Sequence, residues 1–132
     1  MGIPVSSATA AARRAAAATE LQSITFGSTS DFSGVTTFQN CFATNTSITS
    51  INFPNNADFS SVTVMTNFIQ PGTQGMTVAE YDNFLLRFDA TNSNSGMTIT
   101  MGTSQYTGGG AAATARANIV ARGNTITDGG AV

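Results

Sequence analysis

The chain contains no histidine, no lysine and no tryptophan, and a single cysteine, Cys41. Each absence removes a class of chemistry. Without histidine there is no imidazole general base and no imidazole metal ligand. One cysteine forms no intrachain disulfide and no thiolate cluster for zinc. All five cations are arginines, at 13, 14, 87, 116 and 122, and the net charge is -2. Five scattered arginines make no phosphate-tracking surface, so nucleic acid is not an expected partner. Charged residues amount to 9%, against about 25% in ordinary globular chains. No apolar run approaches the roughly 20 residues that a membrane helix requires. Arg13 and Arg14 interrupt the N-terminal alanine tract, which breaks the basic-then-apolar order of a secretory signal. The chain is therefore expected to lack its own export signal.

What is present is hydroxyl and small apolar chemistry. Ser and Thr supply 34 of the 132 residues, and 41% of the chain is hydrophobic. That apolar share argues for a folded chain, and the length suits one domain. Two regions differ in composition. Residues 1–20 are alanine-rich, with no large apolar side chain after Val5. Such a tract is helix-prone but marginal alone in water. It reads either as a loose helical or extended tail, or as an arm ordering against a neighbouring subunit. In the second reading Ile3, Val5, Ala11, Arg13, Arg14 and Ala17 form the assembly interface.

Residues 21–132 read as one domain with an internal repeat. An offset of 27 maps Leu21–Phe26 onto Ile48–Phe53, and Asp31-Phe32-Ser33 onto Asp58-Phe59-Ser60. The same offset maps Ile99 onto Ile126. Short strands are expected around Ile24, Ile51, Ile99 and Ile126. The expected repeat core is Ile24, Phe26, Phe38, Ile51, Phe53, Met65, Ile99 and Ile126. Thr77-Val78-Ala79-Glu80 has the form of a capping box opening a helix, with Val78, Tyr81, Leu85 and Phe88 on one face. A second helix is expected from Ala111 to about Arg122, with Gly123 just past its end. The pattern predicts an α/β fold: a short leucine-rich-repeat-like solenoid of about 27-residue repeats, with a helical C-terminal cap and an alanine-rich N-terminal arm.

Two stretches carry a resemblance. The first, ITSINFPNNADFSSVTVMTNF, resembles the leucine-rich-repeat surface proteins of the BspA-like type. The second runs from Met76 through Tyr106, Gly108-Gly109, Ala111–Ala113, Ala115 and Arg116 to Ile126-Thr127-Asp128-Gly129-Gly130. It is similar to the terminal segments of such proteins, found in bacterial surface proteins and in phage tail and virion proteins. The resemblance implies a non-enzymatic role in adhesion, receptor contact or particle structure. Few repeats, and neither signal peptide nor anchor, shift the expectation towards a phage virion. The expected role is capsid decoration or cement, or a tail or fibre component, assembled in the host cytoplasm. Its partners would be itself and other virion proteins. The alternative is a receptor- or glycan-binding adhesin module at a bacterial surface or on a tail fibre.

The acids, read one by one, suit structure better than catalysis, and neither cofactor nor metal is expected. Asp31 and Asp58 occupy equivalent repeat positions in turn contexts, with a stacked cation site as the lesser reading. Asp82 and Asp89 read as solvated helix surface, and Asp128 as a turn residue. Asn40 and Asn67 read as an asparagine ladder bonding loop backbone. Cys41 falls where Phe68 falls in the next repeat and reads as core. Arg116 and Arg122 read as solvated surface or a subunit contact.

Overall fold

The computed structural model describes residues 3–4 and 21–132. Its strands are β1 (Ile3–Pro4), β2 (Ser23–Thr25), β3 (Ser30–Asp31), β4 (Ser50–Asn52), β5 (Met65–Ile69), β6 (Thr98–Met101) and β7 (Thr125–Thr127). Its helices are α1 (Val78–Thr91) and α2 (Ala111–Ala121). The strands make two short parallel sheets, β2–β4 and β5–β6–β7, and β1 pairs in parallel with β3.

The 27-residue offset in the sequence sets strand register locally. Ile24 lies opposite Ile51, and Ile99 opposite Ile126. Beyond the paired strands it also sets the isolated parallel bridges Thr37–Val64 and Phe42–Ile69. The expected leucine-rich-repeat-like solenoid is nevertheless not the fold. The result is a small α/β structure. The sheet is interrupted between β4 and β5. β5 meets β6 through Met65–Ile99 and Ile69–Met101, with a register shift between the two pairs. The C-terminal half consists of two full helices packed on each other with β6 and β7. A helical end cap on a stack is therefore also not what the chain forms. Equivalent segments need only lie side by side to leave a repeat in the sequence, and side-by-side pairing does not require one continuous sheet.

Each helix starts where its sequence says it should. Thr77 accepts from Glu80 N–H at 3.2 Å, and Glu80 accepts from Thr77 N–H at 3.0 Å. This reciprocal cap satisfies two otherwise orphaned donors. Tyr81, Phe84, Leu85 and Phe88 are the buried face of α1, while Val78 is only partly buried. Gly123 follows α2 at φ +100°, a conformation that glycine adopts freely.

All nine phenylalanines join one aromatic network. Phe26 stacks on Phe53 with centroids 5.4 Å apart, and Phe32 meets its repeat equivalent Phe59 at 5.9 Å. Burying each such ring contributes about 1.5–3 kcal/mol. Phe38, Ile51, Phe53, Met65 and Ile99 of the expected core are buried. Ile24, Phe26 and Ile126 are only partly buried and pack against the core from its margins. Asn40 and Asn67, again 27 apart, sit at φ +57° and +55°. Asparagine tolerates this left-handed conformation better than most residues, so the repeat of asparagine marks a turn at Asn40 and the irregularity within β5 at Asn67.

Candidate functional site

Every described charged residue is bonded within its own fold. Asp31 accepts from Ser33 N–H at 2.9 Å, and Asp58 accepts from Ser60 N–H at 2.9 Å. Both are short aspartate turns. The Ser33 hydroxyl and amide hold the Asp31 carboxyl below its ordinary pKa. Glu80, besides capping α1, accepts from Ile51 N–H and the Ser50 hydroxyl, and so ties α1 to β4. Arg87 Nε donates to Ala57 O at 3.0 Å.

Asp82 and Asp89 are not the solvated helix surface that their spacing suggests. Asp82 accepts from Thr107 N–H at 2.8 Å and from its hydroxyl at 2.6 Å. Asp89 accepts from Asn118 Nδ2 at 3.0 Å and forms an ion pair with Arg122 at 2.6 Å. The two carboxylates therefore fasten α1 to the segment before α2 and to α2 itself.

Asp128 is more than a turn residue, and Arg116 is not free surface. The Asp128 side chain is 3% exposed. It receives Arg116 Nε at 2.8 Å on Oδ2 and Arg116 Nη2 at 3.2 Å on Oδ1. Tyr81 donates its hydroxyl to Oδ2 at 2.6 Å, and Gly130 N–H donates to Oδ1 at 3.0 Å. Four donors from α1, α2 and the C-terminal turn thus converge on one carboxylate. The forked arginine contact is the stronger kind of charge-assisted pair. Arg116 also lies over the Tyr106 ring, 5.3 Å from its centroid, within cation–π range. Burial pushes the Tyr81 phenol far above its ordinary pKa, and the Asp128 carboxylate adds to the shift. The hydrogen bond to Asp128 likewise raises the pKa of Arg116.

Asn92, Asn94 and Asn124 are among the asparagines whose side chains bond backbone, as Asn56 and Asn83 also do. Asn92 Nδ2 donates to Phe59 O at 2.8 Å and to Val62 O at 2.9 Å. Asn94 Nδ2 reaches Val62 O at 2.8 Å. Asn124 Nδ2 donates to Asn94 O and Ile119 O, while its Oδ1 accepts from Met97 N–H. Asn124 lies 27 residues after Met97, so the repeat offset could have found it; Asn92 leaves no such trace.

Cys41 is buried, and its thiol is pushed up to about 11 by desolvation. Such a thiol carries little thiolate at neutral pH. Among the described residues no group of three or more His, Cys, Asp or Glu could hold a metal ion. No described helix is long and apolar enough to cross a membrane.

The surface carries a shallow groove of about 510 Å³ lined by Thr25, Phe26, Ser28, Asn52, Asn55 and Asn56 among others. A second depression of about 320 Å³ shares Ser28 and Asn56 with it and contains Asp31 and Asp58. Of the expected assembly interface, Val5, Ala11, Arg13, Arg14 and Ala17 lie outside the described residues. For Ile3, only its backbone pairing with Ser30 is described. Comparison of the chain with protein-family models, curated proteins and solved structures finds no match.

Proposed function

We propose that the chain is a non-enzymatic structural protein, a component of a phage virion in which it decorates the shell or belongs to the tail. The observation that carries this reading is the use of its charged groups. All six described carboxylates accept hydrogen bonds from the protein's own framework. The three described arginines bond a carbonyl, Asp128 and Asp89. Acid–base catalysis needs a carboxylate held close to a substrate, whereas these hold turns, caps and helix contacts. The exposed remainder is rich in serine, threonine and asparagine, which suits polar contact without charge steering. The resemblance of the C-terminal segment, to bacterial surface proteins as well as to phage tail and virion proteins, suits a non-enzymatic role.

In this reading the N-terminal segment docks on other virion proteins. β1 is held by a two-residue pairing with β3, short enough to be exchanged for a neighbour. A density map of the particle tests the proposal. Contact between residues 1–20 and another chain is expected, and deletion of these residues should block incorporation while the domain stays folded. Incorporation of the shortened chain at the normal level would refute the role of the segment.

The groove favours a second reading, a glycan- or receptor-binding module. It combines a partly buried aromatic ring, Phe26, with the amides of Asn52, Asn55 and Asn56. Titration with neutral oligosaccharides distinguishes the two: saturable binding that F26A abolishes would favour the second.

A further inference from the structure

The two sheets end in strands that match each other. Ser23-Ile24-Thr25 in β2 and Thr125-Ile126-Thr127 in β7 share the pattern of the strands they pair with, Ser50-Ile51-Asn52 and Thr98-Ile99-Thr100. Among the described residues, β2 has β4 as its one neighbour and β7 has β6. The isoleucines at these outer strands, Ile24 and Ile126, are half-buried, whereas their inner partners Ile51 and Ile99 are buried.

The backbone phase also fits. Thr49 N–H donates to Gln22 O, and Phe26 N–H donates to Asn52 O. Gln22 and Phe26 therefore face β4, and strand alternation turns the backbone groups of Ser23 and Thr25 outward. Thr125 N–H donates to Met97 O, so Thr125 faces β6 and Ile126 faces outward. A parallel strand with Ile126 opposite Ile24 would direct Ile126 N–H to Ser23 O and Thr25 N–H to Ile126 O. Arg116 Nη2 touches Ile126 O at the long distance of 3.5 Å, and a carbonyl oxygen has a second lone pair for another donor.

We infer that β7 of one copy adds in parallel to the outer edge of β2 of another, giving head-to-tail association of this chain. The two surfaces differ, so the contact is heterologous, and addition continues beyond a dimer unless the rotation closes a ring. Ile24 and Ile126 then cover each other as Ile99 covers Ile126 within one copy. This inference does not depend on the virion reading, because both edges lie outside residues 1–20.

Sedimentation equilibrium of the full chain, from about 1 μM to 1 mM, tests it. The expected result is a mean mass that climbs above 13.5 kDa as concentration rises. Proline removes an outward donor at Thr25 and, at Ile126, the outward donor together with a half-buried side chain, so T25P and I126P should each remain at the monomer mass. Mixed in equal amounts, they should form dimers and nothing larger, since each retains one intact edge. T25K, which blocks the β2 edge without changing the backbone, should match T25P, and circular dichroism confirms folding. A wild-type chain that stays monomeric throughout overturns the inference. So does wild-type association by folded T25K, or a mixture of folded proline variants that forms no dimer.

Discussion

Tyr81 and Asp128, 47 residues apart, are joined by a 2.6 Å hydrogen bond from the phenol to the carboxylate. The same carboxylate receives the Arg116 fork. Asp128 thereby holds the C-terminal turn against both helices.

Replacing Asp128 with Asn keeps the shape and removes the charge. It leaves the Arg116 guanidinium without its anion and the buried Tyr81 hydroxyl without its best acceptor. D128N is expected to lower stability by about 2–4 kcal/mol in urea unfolding. Y81F removes one donor while Asp128 keeps three, and should lower it by about 1 kcal/mol. Equal and negligible effects of both changes would show that the cluster does not hold the fold.

Two buried groups predict the response to alkali. The Tyr81 phenol and the Cys41 thiol both hold their protons in the fold to a higher pH than in the unfolded chain. Their stabilisation is complete below the unfolded pKa values of about 8.5 for Cys and 10 for Tyr, and is lost as pH rises past them. The urea midpoint should therefore be flat to about pH 8 and fall from about pH 9 upward, the Cys41 part continuing to about 11. C41A should remove the earlier part of that fall. A thiol-specific disulfide reagent should also label Cys41 in the native chain far more slowly than in urea. A midpoint unchanged up to pH 11 would contradict this.

Asn92 bridges two carbonyls, Phe59 O and Val62 O, from a buried position. N92L fills a similar volume and supplies no donor. The expected cost is about 1–3 kcal/mol, because Phe59 O loses its side-chain donor and Asn94 N–H its acceptor, while Val62 O keeps Asn94 Nδ2. Thermal unfolding measures it. An unchanged transition would mean that other donors replace the amide.

Local features were legible in the sequence, and distant ones were not. The Thr77–Glu80 capping box, α2 and its Gly123 end, and the strands at the four isoleucines are all set by neighbouring residues. Asp31 and Asp58 were readable as turns because their partners lie two residues away. Asp128 was readable as a turn in the same way, through Gly130 N–H, but its contacts to Tyr81 and Arg116, 47 and 12 residues away, were not, because no periodicity links them. Asp82 and Asp89 carry the spacing of a wet helix face, and only the packing of α2 and the segment before it against α1 shows their partners. The 27-residue repeat gave the pairings Ile24–Ile51 and Ile99–Ile126. It carried no information on whether the pairs belong to one sheet, and the shifted register of β5 on β6 separates the fold from a solenoid.

The most direct test of the proposed virion role is to count this chain in particles purified from the cultures in which it is made, against the main shell protein. A fixed ratio, unchanged by salt washing and by neutral oligosaccharide, is expected of a built-in component. Absence of the chain from infectious particles would contradict the proposal.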